Sequence, residues 1–215
     1  MILYVNGDSH SVGHSVVQEM GMAHEDLRYA AIKYAPHPDN LPSSYGYLIA
    51  EKLDWPLVCQ GFSGGSADRC IRVTRQFLFQ TYKKVFVLIG WPSFDREEWY
   101  FQNRWWPITK GDADRYPTEL HTKFKNWLVN FDLPDVRARR VKYITKQIDD
   151  FHLWLTDQQI PHLFFNTVDQ QPNVDTYRDW LINNHIQPDQ WDHFRADGHT
   201  AWAEYLTPKI YDIIR

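Results

Sequence analysis

Four short apolar runs punctuate the chain, and between them apolar residues recur every three or four positions. The runs are Ile2–Val5, Pro56–Gln60, Val85–Trp91 and His162–Asn166, and each reads as a strand. No polar residue interrupts Val85-Phe86-Val87-Leu88-Ile89, the pattern of a strand buried on both faces of a parallel sheet. Helical spacing fills the intervals. Leu41–Leu53 follows a Pro-Ser-Ser capping signal, and Ser66–Tyr82 repeats Ile71, Val73, Phe77 and Leu78. Val136–Thr156 carries Val141, Ile144, Ile148, Phe151 and Leu155 along one face. Thr176–Asn183 is short, and Gly198–Ile214 sets Trp202, Leu206, Ile210 and Ile213 on one side. Strands alternating with helices predict a doubly wound, three-layer α/β/α sandwich with right-handed crossovers.

Two segments break the alternation. Residues 94–135 are rich in Trp, Pro, Asp and Lys and follow neither period, as expected of a loop or lid inserted between a strand and the next helix. Residues 21–40 form a second loop-like stretch, and both segments are expected over the C-terminal edge of the sheet. No repeat or low-complexity linker divides the chain, so its 215 residues are expected to form one domain, 1–215.

Charge narrows the partners. A net charge of −4 and a pI near 6.2 leave no footprint for nucleic acid or an anionic membrane. No apolar run approaches the ~20 residues that span a bilayer. The N-terminus lacks a basic region and reads as a strand, so no signal peptide is expected. The two cysteines, Cys59 and Cys70, lie in a strand-like and a helical pattern. Buried free thiols and a cytoplasmic, reducing location are the expectation. Aromatic residues make up 16% of the chain, and Trp99-Tyr100-Phe101 and Trp105-Trp106-Pro107 stand outside the core pattern. Such clusters stack on sugar rings or pack as a lid.

Chemistry concentrates at the strand ends. Gly7-Asp8-Ser9-His10 follows the first strand, where a serine can face a cleft while its own N–H points at a developing oxyanion. Helix capping by Asp8 or Ser9 is the competing explanation. The turn Gly61-Phe62-Ser63-Gly64-Gly65-Ser66 follows the second strand and can present N–H groups to a ligand. Gly90-Trp91-Pro92-Ser93 closes the third strand. Asp189-Gln190-Trp191-Asp192-His193-Phe194-Arg195-Ala196-Asp197-Gly198-His199 precedes the last helix and supplies a histidine flanked by aspartates, the base and orienter that a serine nucleophile needs. His10, His14, His193 and His199 lack a ligand pattern such as His-Glu-x-x-His, so no metal is expected. The glycine-rich turn lacks the Lys-Ser/Thr of a phosphate-binding loop, and no cofactor is expected.

Together these blocks resemble the SGNH, or GDSL-like, hydrolase superfamily over nearly the whole chain. The resemblance implies a flavodoxin-like parallel sheet and a serine esterase. It makes Ser9 the nucleophile and Gly64, with Gly65 close behind, the oxyanion glycine. His193 becomes the base, because an apolar-Ala pair lies nine and ten residues beyond it at Trp202-Ala203. Two positions depart from the family pattern. Gly90-Trp91-Pro92 stands where the family has Gly-x-Asn, leaving Ser93 or the backbone to serve as a further donor. Gln190 stands where the family has an aspartate three before the histidine, leaving Asp192 or Asp189 to orient the ring. The resemblance and the Trp-rich segment imply short acyl groups, acetyl above all, on a small-molecule or glycan ester. Trp91, Trp99, Trp105 and Trp106 would contact that substrate. The chain's format is similar to that of family members encoded by phages, which would be released by lysis. The missing asparagine keeps a contrasting expectation open: a binding or structural protein with this fold and no activity.

Overall fold

The apolar runs align side by side. A computed structural model describes residues 1–14, 16, 38–81, 83–111, 116–168, 174–189 and 192–215. The loop-like stretch 21–40, except its last three residues, lies outside them, as does Gln190. In chain order the elements are β1 (Ile2–Asn6), a 3-10 turn (Leu41–Ser43), α1 (Tyr45–Leu53), β2 (Leu57–Cys59), α2 (Ala67–Gln80), β3 (Val85–Trp91), β4 (Glu97–Phe101), β5 (Arg104–Ile108), α3 (Thr118–Phe131), α4 (Pro134–Asp157), β6 (His162–Asn166), α5 (Tyr177–Asn183) and α6 (Ala196–Ile214). β2, β1, β3 and β6 form one parallel sheet in that order. Asn6 lies opposite Ile89, and Trp91 opposite Asn166.

Alternation along the strands sorts the core into two halves. Leu3, Val5, Phe86, Leu88 and Phe165 pack against Tyr45, Ile49, Leu181, Trp202 and Leu206 of α1, α5 and α6. Tyr4, Val87, Ile89 and Trp91 turn the other way, onto Cys70, Ile144, Ile148, Phe151 and Leu155 of α2 and α4. This is the three-layer α/β/α sandwich expected from the pattern. Side-chain caps set two helix starts: Ser44 Oγ accepts the Tyr47 N–H at α1, and Ser66 Oγ accepts the Arg69 N–H at α2. Ser44 also explains why Leu41–Leu53 is not one helix. The chain is extended there (ψ 148°) and only then enters α1.

Residues 94–135 are more regular than their composition suggests. β4 and β5 pair antiparallel, with Trp99 opposite Trp106 and Tyr100 opposite Trp105. Their two-residue connection, Gln102-Asn103, has φ of 49° and 57°, the left-handed pair that matches hairpin twist. α3 packs beneath one face. Trp99, Ile108, Tyr116, Leu120 and Phe124 form a small separate core, joined by Phe101, Trp106 and Trp127. The expected loop is therefore a hairpin and a helix closed on one another.

Cys70 is buried, Cys59 is half-buried, and both are free thiols. Burial raises them to about 12 and about 11 respectively. Among the described residues no helix is long and apolar enough to cross a membrane.

Candidate active site

β1 delivers its last residues into a braced turn. Asn6 Oδ1 accepts the Gly7 N–H at 2.8 Å, and its Nδ2 donates to Tyr4 Oη and Thr74 Oγ1, both at 3.1 Å. Gly7 sits at φ 148°, and a Cβ there would lie 2.0 Å from Ser11 Oγ and 2.6 Å from the Gly90 carbonyl, so only glycine fits. The chain then coils tightly. Ser11 and Val12 donate to the Asp8 carbonyl, and His14 donates to the Ser9 carbonyl at 3.0 Å. Ser9 is buried, yet among the described residues its own N–H has no acceptor.

The turn after β2 is tied to this one by the Phe62 N–H, which donates to the Gly7 carbonyl at 3.0 Å. Gly65 spends its N–H on the Phe62 carbonyl at 2.7 Å. Gly64, at φ 79°, does not; its N–H has no acceptor among the described residues. Thr109, just past β5, borders it, 3.5 Å from where a Cβ would stand. Of the two candidate glycines, Gly64 therefore has the available donor. Ser93 Oγ accepts the Asp95 N–H at 3.3 Å, a local turn contact.

His193 packs its ring between His10 and His14, with centroids 4.9 and 4.8 Å away. Because His10 directly follows Ser9 and the His14 N–H donates to the Ser9 carbonyl, the imidazole lies at the serine's turn. Among the described residues neither ring nitrogen of His193 has a hydrogen-bond partner, nor has His10 Nδ1. Burial, with His10 and His14 adding to it, pushes His193 down to about 3, while Asp8 and Asp189 favour its charged form. The ring is neutral at physiological pH.

The flanking aspartates divide their roles. Asp189 Oδ1 accepts the His193 backbone N–H at 3.0 Å. Asp192, at φ 62°, a region that Asp tolerates, gives both carboxylate oxygens to Arg178 Nε at 3.0 Å. Neither carboxylate bonds the imidazole. His199 lies in the first turn of α6, where its Nδ1 accepts the Tyr45 N–H at 3.1 Å and its ring stacks on Tyr45. Burial, then His10 and His193, lowers it to about 3.

Asp8 is a further member of the cluster. Its carboxylate accepts the His10 N–H at 3.1 Å, Arg96 Nη1 at 2.8 Å and Thr167 Oγ1 at 3.2 Å. Complete burial opposes its ionisation. His10 and Arg96 against it nonetheless hold the carboxyl below its ordinary range, helped by the His10 N–H. Arg96 and Thr167 carry no sequence signal, because they reach Asp8 from the loop before β4 and from the residue just past β6, across 88 and 159 residues.

The tryptophans separate. Trp91 is 1% exposed and packs edge-on against Phe164 and Phe151. It is a core residue, turned inward by the alternation of β3, and not a substrate contact. Trp99, 7% exposed, is likewise turned inward; its Nε1 donates to Glu97 at 2.8 Å and Lys123 covers its ring at 4.1 Å. Trp106 is half-buried, with Nε1 on the Phe101 carbonyl. Only Trp105, 42% exposed beside Tyr100, offers an open ring, and Arg72 lies over it at 4.5 Å. Among the described residues no group of three or more His, Cys, Asp or Glu is arranged to hold a metal ion.

Fold and site together define an α/β/α sandwich with a serine and a neutral histidine at the C-terminal edge of its parallel sheet. The chain is similar over 99% of its length to the psychrotrophic esterase EstA from Pseudoalteromonas sp., of which 96% is covered, with 13% identity and a TM-score of 0.43. It is similar over 97% of its length to a putative lipolytic protein of the G-D-S-L family from Desulfitobacterium hafniense DCB-2, of which 99% is covered, with 14% identity and a TM-score of 0.40. No protein-family model matches the chain, and no curated protein matches it in sequence.

Proposed function

We propose that the protein is an SGNH-type ester hydrolase with Ser9 as its nucleophile. One observation carries the reading: at a buried serine, the N–H groups of Ser9 and Gly64 are left without acceptors beside a neutral imidazole. A buried N–H such as that of Ser9 is nearly always paired, and an unpaired one there, with a second on the half-buried Gly64 of the neighbouring turn, suits the oxyanion of an acyl-transfer intermediate.

Ser9 Oγ attacks the acyl carbonyl as His193 takes its proton. The oxyanion rests on the Ser9 and Gly64 N–H groups. His193 then passes the proton to the departing alkoxide, and water, activated by the same ring, releases the acid. Asp8 and Asp189 both favour the charged imidazole, which supports the step in which it forms. The Ser9–His193 contact closes when substrate binds, as catalytic hydrogen bonds commonly do.

The substrate proposed is a short acyl ester, acetyl in the first place, because the nucleophile lies in a tightly packed turn. A carbohydrate alcohol is favoured by the open Trp105–Tyr100 pair. A second reading, a binding protein without activity, draws on the absence, among the described residues, of any hydrogen bond to the His193 ring. A fluorophosphonate probe with mass spectrometry decides between them. One adduct on Ser9, with turnover of acetyl faster than butyryl esters, is the expected result; intact Ser9 after prolonged exposure overturns the hydrolase.

A further inference from the structure

Arg96 stands apart from the machinery above. Its Nη1 donates to Asp8 at 2.8 Å, and that is its only side-chain hydrogen bond among the described residues. The loop that carries it is clamped from α4. Arg140 Nε donates to the Phe94 carbonyl at 3.1 Å and its Nη2 to the Arg96 carbonyl at 2.5 Å. The same guanidinium pairs with Glu97 at 3.1 Å and Asp68 at 3.6 Å. An unbroken line of contacts thus runs from α4, through the loop, to the carboxylate directly preceding Ser9. That carboxylate fixes the coil at its other oxygen, through the His10 N–H, and is fastened to the end of β6 by Thr167.

We propose that Arg96 is the positioning residue of the nucleophile turn, acting through Asp8, and that Arg140 holds Arg96 in place. The inference rests on Ser9 being the nucleophile. Physically, a carboxylate with no exposed side-chain surface stays charged and fixed only while a cation and hydrogen bonds hold it. Fixed, it sets the backbone on either side of Ser9, and a displacement of about 1 Å there costs on the order of 10² in rate. The charge of Asp8 is felt by His10 and His193, and by Tyr45, Tyr177 and Cys70 from α1, α5 and α2. Losing Arg96 is therefore read both in rate and in pH profile.

The experiment follows the rate at which a fluorophosphonate labels Ser9 in the full chain, from acid to neutral pH. Arg96→Gln is expected to label about 10²-fold more slowly. Its acid limb should move to higher pH, because burial then governs Asp8 and raises it, and added free guanidinium should restore part of the rate. Asp8→Asn combined with Arg96→Gln leaves no buried charge and should label no more slowly than Asp8→Asn alone. This pair carries the test should Arg96→Gln fail to fold. Arg140→Gln should slow labelling about tenfold alone and add nothing to Arg96→Gln, as expected of coupled residues. Wild-type rate and profile in Arg96→Gln overturn the proposal, as does a paired variant slower than Asp8→Asn by the full Arg96 factor. Wild-type protein that never labels at Ser9 overturns the hydrolase reading instead, and this inference with it.

Discussion

The turn after β1 and the hairpin–helix insertion after β3 each follow the C-terminal end of a parallel strand, and they treat polar groups in opposite ways. In the insertion, the inward-facing groups are paired. Trp99 and Trp106 donate to Glu97 and Phe101, Arg72 grips Glu98 with two bonds, and Tyr116 spans the Thr109 backbone. Around Ser9 the opposite holds. Two backbone N–H groups, both nitrogens of His193 and Nδ1 of His10 have no partner among the described residues. A buried group left unpaired costs about 1–3 kcal/mol. Unpaired atoms also occur singly in the core, at Trp91 Nε1 and Trp202 Nε1; what sets the first turn apart is that several of them meet beside one serine.

That contrast breaks most readily at Ser9. Ser9→Ala is expected to lower ester turnover by up to ~10⁶ with no change in thermal midpoint, and an activated acetyl ester assay checks it. His193→Ala should lose at least ~10³, measured as kcat with the same ester. On the other side, Phe124→Ala in the insertion core should cost about 3–5 kcal/mol in denaturant unfolding while kcat of the folded fraction holds. A large fall in kcat there would erase the distinction between the regions.

His199 sharpens the comparison through pH. Its ring is neutral when folded, at about 3, whereas an unfolded histidine titrates near 6.5. Its stabilising contribution is complete above about pH 6.5 and is lost as pH falls towards 3, because the unfolded chain takes up the proton first. The slope is about 1.4 kcal/mol per pH unit. His199→Asn, which keeps an acceptor for Tyr45, should flatten the stability profile by that amount while leaving kcat near wild type. The smallest effect belongs to Trp105→Ala: a few-fold rise in KM for a glycan ester and none for a minimal acetyl ester, since uniform binding contacts act on KM.

The sheet was legible because its strands have no polar interruption. β3 runs over Val85–Trp91 as the apolar run does, and β6 over His162–Asn166. The hairpin was not, for two physical reasons. Its strands carry aromatic residues on both faces, so no period of two emerges, and its turn is Gln102-Asn103 without the glycine that usually announces left-handed backbone. α3 had a usable signal in Leu120, Phe124, Trp127 and Phe131, spaced as one helical face. At the candidate site, Ser9 and His193 were singled out by local sequence, and Gly64, with Gly65 close behind, by the family resemblance. Which partner each carboxylate takes did not, since Arg178 and Arg96 meet Asp192 and Asp8 only after the sheet has assembled.

The two cysteines bear on how the protein meets electrophiles. With thiols held at about 11 and about 12 by burial, almost no thiolate exists at neutral pH, and it is the thiolate that attacks alkylating agents and peroxide. Cys59 is further occupied, its Sγ donating to the Ser11 carbonyl at 3.8 Å. The folded chain should therefore be inert to iodoacetamide and resistant to sulfenic acid formation, becoming alkylated only as it unfolds. Thiol modification then serves as a clock for global opening that runs independently of any reagent aimed at serine.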